Sequence, residues 1–175
     1  MAVAHGRMTA ETIHLVAPHL DAVEEAHLLD AQEGIDTDGL QVFNAAPLLL
    51  RSLPPGSWGV VTSGNLRTAS TRLRYGGFPF PLVLVTAEDV QRGKPEPEAY
   101  LLGAQRLGVP PAQCVVIEDA PAGIAAAHAA GMRAIAVATT HDQQALGQAD
   151  MIVPELASVA VIVEGGRLRV TAEPL

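Results

Sequence analysis

Three groups of polar residues in this sequence each follow a short apolar run, and their types suit them to bind and neutralise a phosphate group. Thr62 and Ser63 precede a helical pattern, so their hydroxyls and the free amide N–H groups of a helix N-terminus predict an anion site. Lys94 stands between a glycine that lets the backbone turn and a proline that stiffens it, which favours a fixed ammonium beside that site. Glu118 and Asp119 are adjacent carboxylates, and such oxygen ligands suit Mg²⁺.

Each group also has an ordinary structural explanation. Thr62 and Ser63 could cap the helix that follows them, and Asp119 could cap the next one. Lys94 could be a solvated surface lysine. The occurrence of a hydroxyl pair, a lysine and an acidic pair at successive strand ends favours the functional interpretation. Lys94 is also the single lysine among eleven Lys and Arg residues, which reflects either codon bias or a specific need for an ammonium group.

The elements around these residues predict an α/β fold. Apolar strands alternate with helices from about residue 58 onward, which is typical of a Rossmann-like parallel sheet covered on both faces. In such sheets ligands bind beyond the carboxyl ends of the strands, where the three polar groups stand. Residues 9–33 predict two further helices at the N-terminus, and Asn44 can cap a third. Strands are predicted at 58–61, 82–85, 114–117, 134–138 and 151–153, followed by a hairpin at 159–163 and 168–170.

Composition limits the class of partner. The 175 residues carry a formal net charge of −8, and an acidic chain without a basic run argues against a nucleic-acid partner. No apolar run approaches the length of a membrane span, and the N-terminus lacks the apolar segment of a secretory signal. The single cysteine, Cys114, is compatible with a reducing cytoplasm. We therefore expect a cytoplasmic protein that acts on a small molecule; its oligomeric state is open.

The stretches VVTSG, GKPEPEAY and VVIEDAPAGIAAAHAAGM closely resemble motifs two, three and four of the haloacid dehalogenase superfamily of phosphohydrolases. The resemblance runs from about residue 42 to 156, and motif four is its most specific part. Within the superfamily, the sequence looks like the sugar-phosphate and glycerol-phosphate phosphatases related to β-phosphoglucomutase, which carry a helical cap. HGRMTAETI, residues 5–13, looks like the start of the substrate loop of that cap.

The resemblance implies roles for individual residues. Thr62 and Ser63 would bind the phosphoryl group, and Lys94 would stabilise the charged intermediate as a catalytic residue. Asp119 would ligate Mg²⁺ directly, with Glu118 beside it. The cap residues implied to face the substrate are His5 and Arg7.

The resemblance also implies a domain organisation and an activity. Residues 1–40 would form part of a helical cap, and residues 41–175 would form an α/β core domain that lacks its first strand. The implied activity is Mg²⁺-dependent hydrolysis of a small sugar or polyol phosphate through an aspartyl-phosphate. Phosphoryl transfer needs positioning and charge neutralisation, which the metal, the lysine and a helix N-terminus would supply. It also needs a nucleophile, which in this family is the first aspartate of motif one, with the second as general acid and base.

The stretch GIDTDGLQ, residues 34–41, contains an Asp-x-Asp-Gly pattern of that kind at Asp36 and Asp38. The residues before Asp36 close an acidic helix and form no apolar strand. The spacing 62 − 36 leaves only 26 residues before Thr62, and a helix occupies much of it. We therefore expect Asp36 and Asp38 to lie in a turn where the chain leaves the cap, with Gly39 as the turn residue.

It follows that residues 1–175 are expected to begin after the motif-one strand, to lack the nucleophile, and to be inactive alone. In the family that strand lies between the strands bearing motifs two and four, so its omission would leave two strand edges unpaired. The chain would be a shortened form, the product of a misplaced start codon, or a short protein that borrows a strand in an oligomer. The alternative function is a non-catalytic module that binds a metal or phosphate.

Overall fold

The computed structural model describes residues 4–43 and 45–175; the predicted helix cap at Asn44 lies outside them. The helices are α1 (Thr9–Val16), α2 (Ala22–Glu33), α3 (Ala45–Ser52), α4 (Leu66–Tyr75), α5 (Glu98–Leu107) and α6 (Pro121–Ala129). The strands are β1 (Val60–Val61), β2 (Leu84–Val85), β3 (Val115–Glu118), β4 (Arg133–Val137), β5 (Met151–Val153), β6 (Val159–Glu164) and β7 (Arg167–Ala172).

The two N-terminal helices pack against each other, as the sequence predicts. Helix α1 ends at Val16, shortly before Pro18, because proline cannot continue a helix. The Asp21 side chain begins α2 by accepting hydrogen bonds from the N–H groups of Val23 and Glu24. We call residues 4–40, with α1 and α2, the cap. It contacts α4 through the Thr71 hydroxyl, which donates to the carbonyl of Gly34 at 2.9 Å.

The strands form parallel sheets, as predicted for this fold class, but in two separate pieces. Strand β1 pairs with β2, and β3 pairs with β4, which pairs with β5; all three ladders are parallel. Within the described ranges no strand joins β1 to β3. The strand predicted at 58–61 has only two ladder residues, with bonds from Val60 N to Val83 O and from Thr62 N to Val85 O, both 2.9 Å. The α/β fold class with parallel strands is therefore confirmed, and within the described residues its ladders form two separate pieces.

The main core lies between α6 and the β3–β4 ladder. Alanine supplies the contact surface of the helix, and Ala126 and Ala127 are fully buried, so the helix lies close to the strands. Beyond this core, β6 and β7 form the predicted antiparallel hairpin around Gly165-Gly166. None of the helices in the described ranges combines the length and apolar character needed to cross a membrane.

A short turn closes the end of β2 and holds Asp89. One oxygen of its carboxylate accepts the N–H of Thr86 at 2.8 Å, and the other accepts the Arg106 guanidinium at 2.5 Å. Arg106 also donates to the carbonyl of Leu84 at 2.6 Å. The hydrogen bond from Arg106, followed by that from the Thr86 amide, lowers the pKa of Asp89 to about 2. Asp89 thus caps a turn and pairs with α5.

We expect Arg106→Met to lower the free energy of unfolding by about 0.5–1 kcal/mol at pH 7, because the lowered pKa of Asp89 contributes stability in its ionised form and solvent screens this partly exposed pair. The contribution is complete above the ordinary pKa of 3.8 and is lost as the pH falls through about 2. The gap between the unfolding free energies of wild type and variant should therefore narrow in urea titrations as the pH falls below about 4. Arg92→Met, which removes an exposed i,i+4 pair with Glu96, is the control; a gap that stays constant with pH would contradict the assignment.

Candidate active site

The carboxyl ends of β1 and β3 and the loop that follows β2 open onto one cavity of about 800 Å³. The sequence-predicted residues are brought together around it, while Asp36 and Asp38 are not among the residues that line it. The predicted residues in its wall are Thr62, Ser63, Lys94, Glu118, Asp119, His5 and Arg7. The residues that follow the parallel strands thus meet at one cavity, as the sequence predicts for this fold class.

Lys94 is buried at the centre of this wall, with 5 % of its surface exposed. Its ammonium donates to Glu118 Oε1 at 2.5 Å and lies 3.4 Å from the carbonyl oxygen of Val61. It also lies 4.8 Å from the centre of the Tyr100 ring, within the range of a cation–π interaction. A buried, multiply bonded ammonium is not the solvated surface lysine that the sequence left open.

Glu118 is the partner that holds Lys94. Its Oε1 also accepts the Tyr100 hydroxyl at 3.0 Å, and its Oε2 accepts the N–H groups of Asp119 and Ala120 at 2.8 and 3.1 Å. Burial raises the pKa of Glu118, but the Lys94 charge and these hydrogen bonds outweigh it and hold the pKa below its ordinary value. Burial and the Glu118 charge raise the pKa of Tyr100 well above its usual range. The three side chains form a buried, charge-balanced cluster.

Thr62 and Ser63 lie between β1 and α4. The side chain of Asn65, rather than either hydroxyl, caps α4 by accepting the N–H of Thr68 at 2.8 Å. Thr62 Oγ1 accepts the N–H of Gly64 at 3.1 Å, and the Ser63 hydroxyl donates to the carbonyl of Gly6 in the cap at 2.8 Å. The capping role that the sequence left open for Thr62 and Ser63 is therefore taken by Asn65.

Asp119 is half-buried at the end of β3. Its Oδ2 accepts the Thr140 hydroxyl at 3.0 Å and lies 3.3 Å from Nε2 of His5. Nδ1 of His141 lies 3.0 Å from the backbone carbonyl of Asp119. Thr140 and His141 follow β4, so the strand-end rule could have identified both, but the sequence analysis did not select them.

The donor set at Asp119 fits Mg²⁺, which commonly takes one or two carboxylates and completes its shell with waters and phosphate oxygens. Both oxygens of Glu118 already accept hydrogen bonds, so as placed it lies beside Asp119 with its lone pairs engaged. No group of three or more His, Cys, Asp or Glu side chains in the described ranges is placed to hold a metal. A magnesium ion at Asp119 would therefore draw most of its ligands from water and substrate.

The cap supplies the opposite wall of the cavity. His5 contacts Asp119, and Arg7 lines both this cavity and a neighbouring one of about 520 Å³. Glu11 of α1 reaches the core loop beside Lys94, where its Oε1 accepts the N–H of Gly93 at 2.8 Å. The sequence analysis did not select Glu11, since no local pattern connects residues that are 82 positions apart.

The turn that contains Asp36 and Asp38 follows α2. The N–H of Asp38 donates to Asp36 Oδ1 at 2.9 Å, and Gly39 has φ +76°, a left-handed conformation that glycine adopts without strain. Both carboxylates are exposed. The expectation that this stretch is a turn without a strand before it is confirmed.

Three carboxylates of the described residues line the cavity, and each has another engagement. Glu118 is bonded to Lys94 and Tyr100, Glu33 accepts the Arg72 guanidinium at 2.9 Å, and Asp119 contacts Thr140 and His5.

Comparison with known proteins places these residues in context. The sequence profile of haloacid dehalogenase-like hydrolases matches residues 5–131. Hexitol phosphatase A of Escherichia coli is 40% identical over 166 residues, which cover 92% of this chain and 77% of that protein. Glycerol-1-phosphate phosphohydrolase 2 of Saccharomyces cerevisiae is 37% identical over 172 residues, covering 91% and 69%.

The fold comparison agrees with this sequence similarity. The crystal structure of β-phosphoglucomutase from Clostridium difficile superposes with a TM-score of 0.66 at 20% identity, covering 87% of this chain and 73% of that one. At this identity the likeness shows the shared fold alone.

Proposed function

The chain belongs to the haloacid dehalogenase-like hydrolases, and from this premise we propose that it carries the binding site of a Mg²⁺-dependent phosphatase for small sugar or polyol phosphates. The observation that supports this most directly is the buried Lys94–Glu118 pair at 2.5 Å, set between the Thr62 hydroxyl and the Asp119 carboxylate around one cavity. The names of the relatives, which act on a hexitol phosphate and on glycerol 1-phosphate, suggest the substrate class.

In the proposed site the hydroxyls of Thr62 and Ser63 bind oxygens of the phosphoryl group. The Lys94 ammonium has three N–H donors; one is held by Glu118 and one faces the Val61 carbonyl, which leaves the third for a phosphoryl oxygen. Asp119 would hold Mg²⁺, which supplies neutralisation of the negative charge on the phosphoryl oxygens. These groups position the phosphate and balance its charge, which is most of what phosphoryl transfer requires.

The cap, residues 1–40 in the proposed division, would surround the rest of the substrate above the core domain, residues 41–175. His5 and Arg7 are the cap residues proposed to face the substrate. Thr12 also lines the cavity, and hydroxyl groups of this kind suit hydrogen bonding to a polyol.

We propose further that residues 1–175 alone do not turn over substrate. The reaction needs a carboxylate that attacks phosphorus, forms an aspartyl-phosphate and expels the sugar or polyol oxygen, after which water hydrolyses the acyl phosphate. The three cavity carboxylates are engaged elsewhere. The position for the attacking aspartate is the end of an additional strand between β1 and β3, whose ladders are separate.

Hydrolysis of p-nitrophenyl phosphate, glycerol 1-phosphate and a hexitol phosphate, with and without Mg²⁺, tests this proposal. Residues 1–175 alone are expected to show no turnover above background. A fusion that adds an N-terminal apolar strand ending in Asp-x-Asp-Gly is expected to hydrolyse the polyol phosphates in a Mg²⁺-dependent manner. The same fusion with Asn at the first added Asp is the matched control and should be inactive.

Two results would contradict the proposal. Turnover by the unmodified chain that disappears in Asp36→Asn would make the exposed turn the catalytic centre. A fusion that folds and binds inorganic phosphate with Mg²⁺ but stays inactive would favour the alternative, a non-catalytic module for metal and phosphate.

A further inference from the structure

The loop that carries Lys94 is held by two glutamates, one from the core and one from the cap. The side chain of Glu98, in α5, accepts the N–H groups of Gln91 and Arg92, both at 3.0 Å. The next amide along the chain, that of Gly93, donates to Glu11 Oε1 of α1 at 2.8 Å. Three consecutive amides before the lysine are therefore bound by carboxylates, and the last of them depends on the cap.

Gly93 is suited to this contact because it has no side chain. A Cβ added there would lie 2.6 Å from Glu11 Oε2, 2.6 Å from Met8 Cγ and 2.8 Å from Met8 Sδ. Real Cβ contacts of that length essentially do not occur, so a larger residue at position 93 would displace the side chains of Glu11 and Met8 from the loop. The close approach of α1 to the loop therefore depends on glycine at position 93 and on Met8 and Glu11 facing it.

The remaining oxygen of Glu11 indicates a specific arrangement. Oε2 is buried and has no hydrogen-bond partner within the described residues. Burying a polar oxygen without a partner costs free energy, so a carboxylate serving only to stabilise α1 would be poorly placed. Holding the amide beside Lys94 gives this side chain a role in the site.

We propose that Glu11 is a positioning residue, which fixes the Gly93–Lys94 backbone and thereby the Lys94 ammonium when α1 is docked on the core. Glu98 holds the preceding part of the loop whether or not the cap is docked. Of these three amides, only that of Gly93 has its hydrogen-bond acceptor in the cap. Docking of α1 over a bound phosphate ester thus completes the placement of Lys94. The inference rests on the proposed phosphate site, but its structural part can be measured without it.

The test combines amide hydrogen exchange, resolved by NMR, with binding of inorganic phosphate in the presence of Mg²⁺. Glu11→Ala is expected to speed exchange of the Gly93 amide at least tenfold, while the Gln91 and Arg92 amides stay as protected as in wild type. Glu11→Asp, which keeps the charge but is one methylene shorter, should behave like Glu11→Ala. Glu11→Gln keeps an acceptor oxygen at the same reach and should retain most of the protection. Glu24→Gln, on the exposed face of the same cap, is the matched control.

Phosphate affinity separates a positioning role from a merely structural one. Glu11→Ala should weaken phosphate binding about fivefold in the wild-type background and not at all in a Lys94→Met background, because Glu11 acts through Lys94. Equal Gly93 exchange in Glu11→Ala and wild type would overturn the inference, and so would a fivefold loss of affinity that persists without Lys94. If wild type binds no phosphate, the proposed function fails, while the Gly93 exchange still decides whether Glu11 positions the loop.

Discussion

Replacing Lys94 with methionine is expected to lower the free energy of unfolding by about 3–5 kcal/mol at pH 7, because it leaves a buried carboxylate without its counter-charge. The Glu118 side chain is 9% exposed and the Lys94 side chain 6%. Methionine preserves much of the side-chain volume, so the loss reports the missing charge and hydrogen bonds rather than a cavity. Urea unfolding followed by circular dichroism provides the measurement.

The pH dependence of this deficit has a defined sign. In wild type the lowered pKa of Glu118 contributes stability that is present above the ordinary pKa of 4.5 and is lost as the pH falls through the folded-state pKa. In the Lys94→Met variant, burial acts on Glu118 without the opposing ammonium, so the pKa of Glu118 is expected to rise. Protonation of Glu118 at lower pH then removes the unpaired buried charge and raises the stability of the variant. Both effects act in the same direction, and the deficit should shrink as the pH falls below about 6.

The second-site variant Lys94→Met/Glu118→Gln separates stability from function. Removing both charges should restore most of the lost stability, while binding of inorganic phosphate with Mg²⁺ stays weaker than in wild type because the ammonium is absent. Arg169→Met, which breaks an exposed pair with Glu164 on the hairpin, is the control and should cost less than about 1 kcal/mol. A Lys94→Met variant as stable as this control would show that the pair is not buried as described.

The parts of the site that follow from local pattern were accessible from sequence. An apolar run predicts a strand, and a parallel sheet places the next residue at the ligand-binding edge; this locates Thr62, Lys94 and Asp119 at one cavity. The turn at Asp36 and Asp38 was also predictable, because an acidic helix rather than an apolar strand precedes it. Bounds were less accurate: β1 has two ladder residues where the apolar run suggests four.

The parts that depend on side chains meeting across the fold could not be predicted in this way. The resemblance implies a metal beside Glu118, but the partners that its oxygens take depend on how the Lys94 loop and α5 lie against β3. The Glu11–Gly93 hydrogen bond joins the cap to the core through a backbone amide, and neither the composition nor the hydrophobic periodicity of the sequence identifies this amide as a hydrogen-bond partner. The division of the sheet between β1 and β3 was foreseen only through the family resemblance, since each strand reads as an ordinary buried strand by itself.

Gly123→Ala is the second substitution with a large expected effect. A Cβ at this position in the first turn of α6 would lie 2.1 Å from both Cδ and Oε1 of Glu118 and 2.6 Å from its Cγ. A free side chain could swing aside, but this carboxylate is bonded to the Lys94 ammonium, the Tyr100 hydroxyl and two backbone amides. The methyl group must displace it, which breaks buried hydrogen bonds and adds overpacking.

We expect Gly123→Ala to destabilise the fold by about 2–4 kcal/mol, from overpacking and the loss of buried hydrogen bonds, and to weaken phosphate binding because Lys94 loses its anchor. Ala129→Ser, on the exposed part of the same helix, is the control for adding one atom and should stay within about 0.5 kcal/mol. Both free energies of unfolding come from urea titrations at pH 7.

The decisive measurement is the same substitution in a Lys94→Met/Glu118→Ala background. There the added methyl group meets no carboxylate, and alanine favours a helix over glycine by up to about 1 kcal/mol. The effect of Gly123→Ala is therefore expected to change sign, from destabilising to slightly stabilising. An equal cost in both backgrounds would mean that the backbone of α6 requires glycine for its own sake. A change of sign would mean that glycine is needed at position 123 to leave room for the Glu118 carboxylate. The first turn of α6 would then help to fix the position of Lys94, which Glu118 holds.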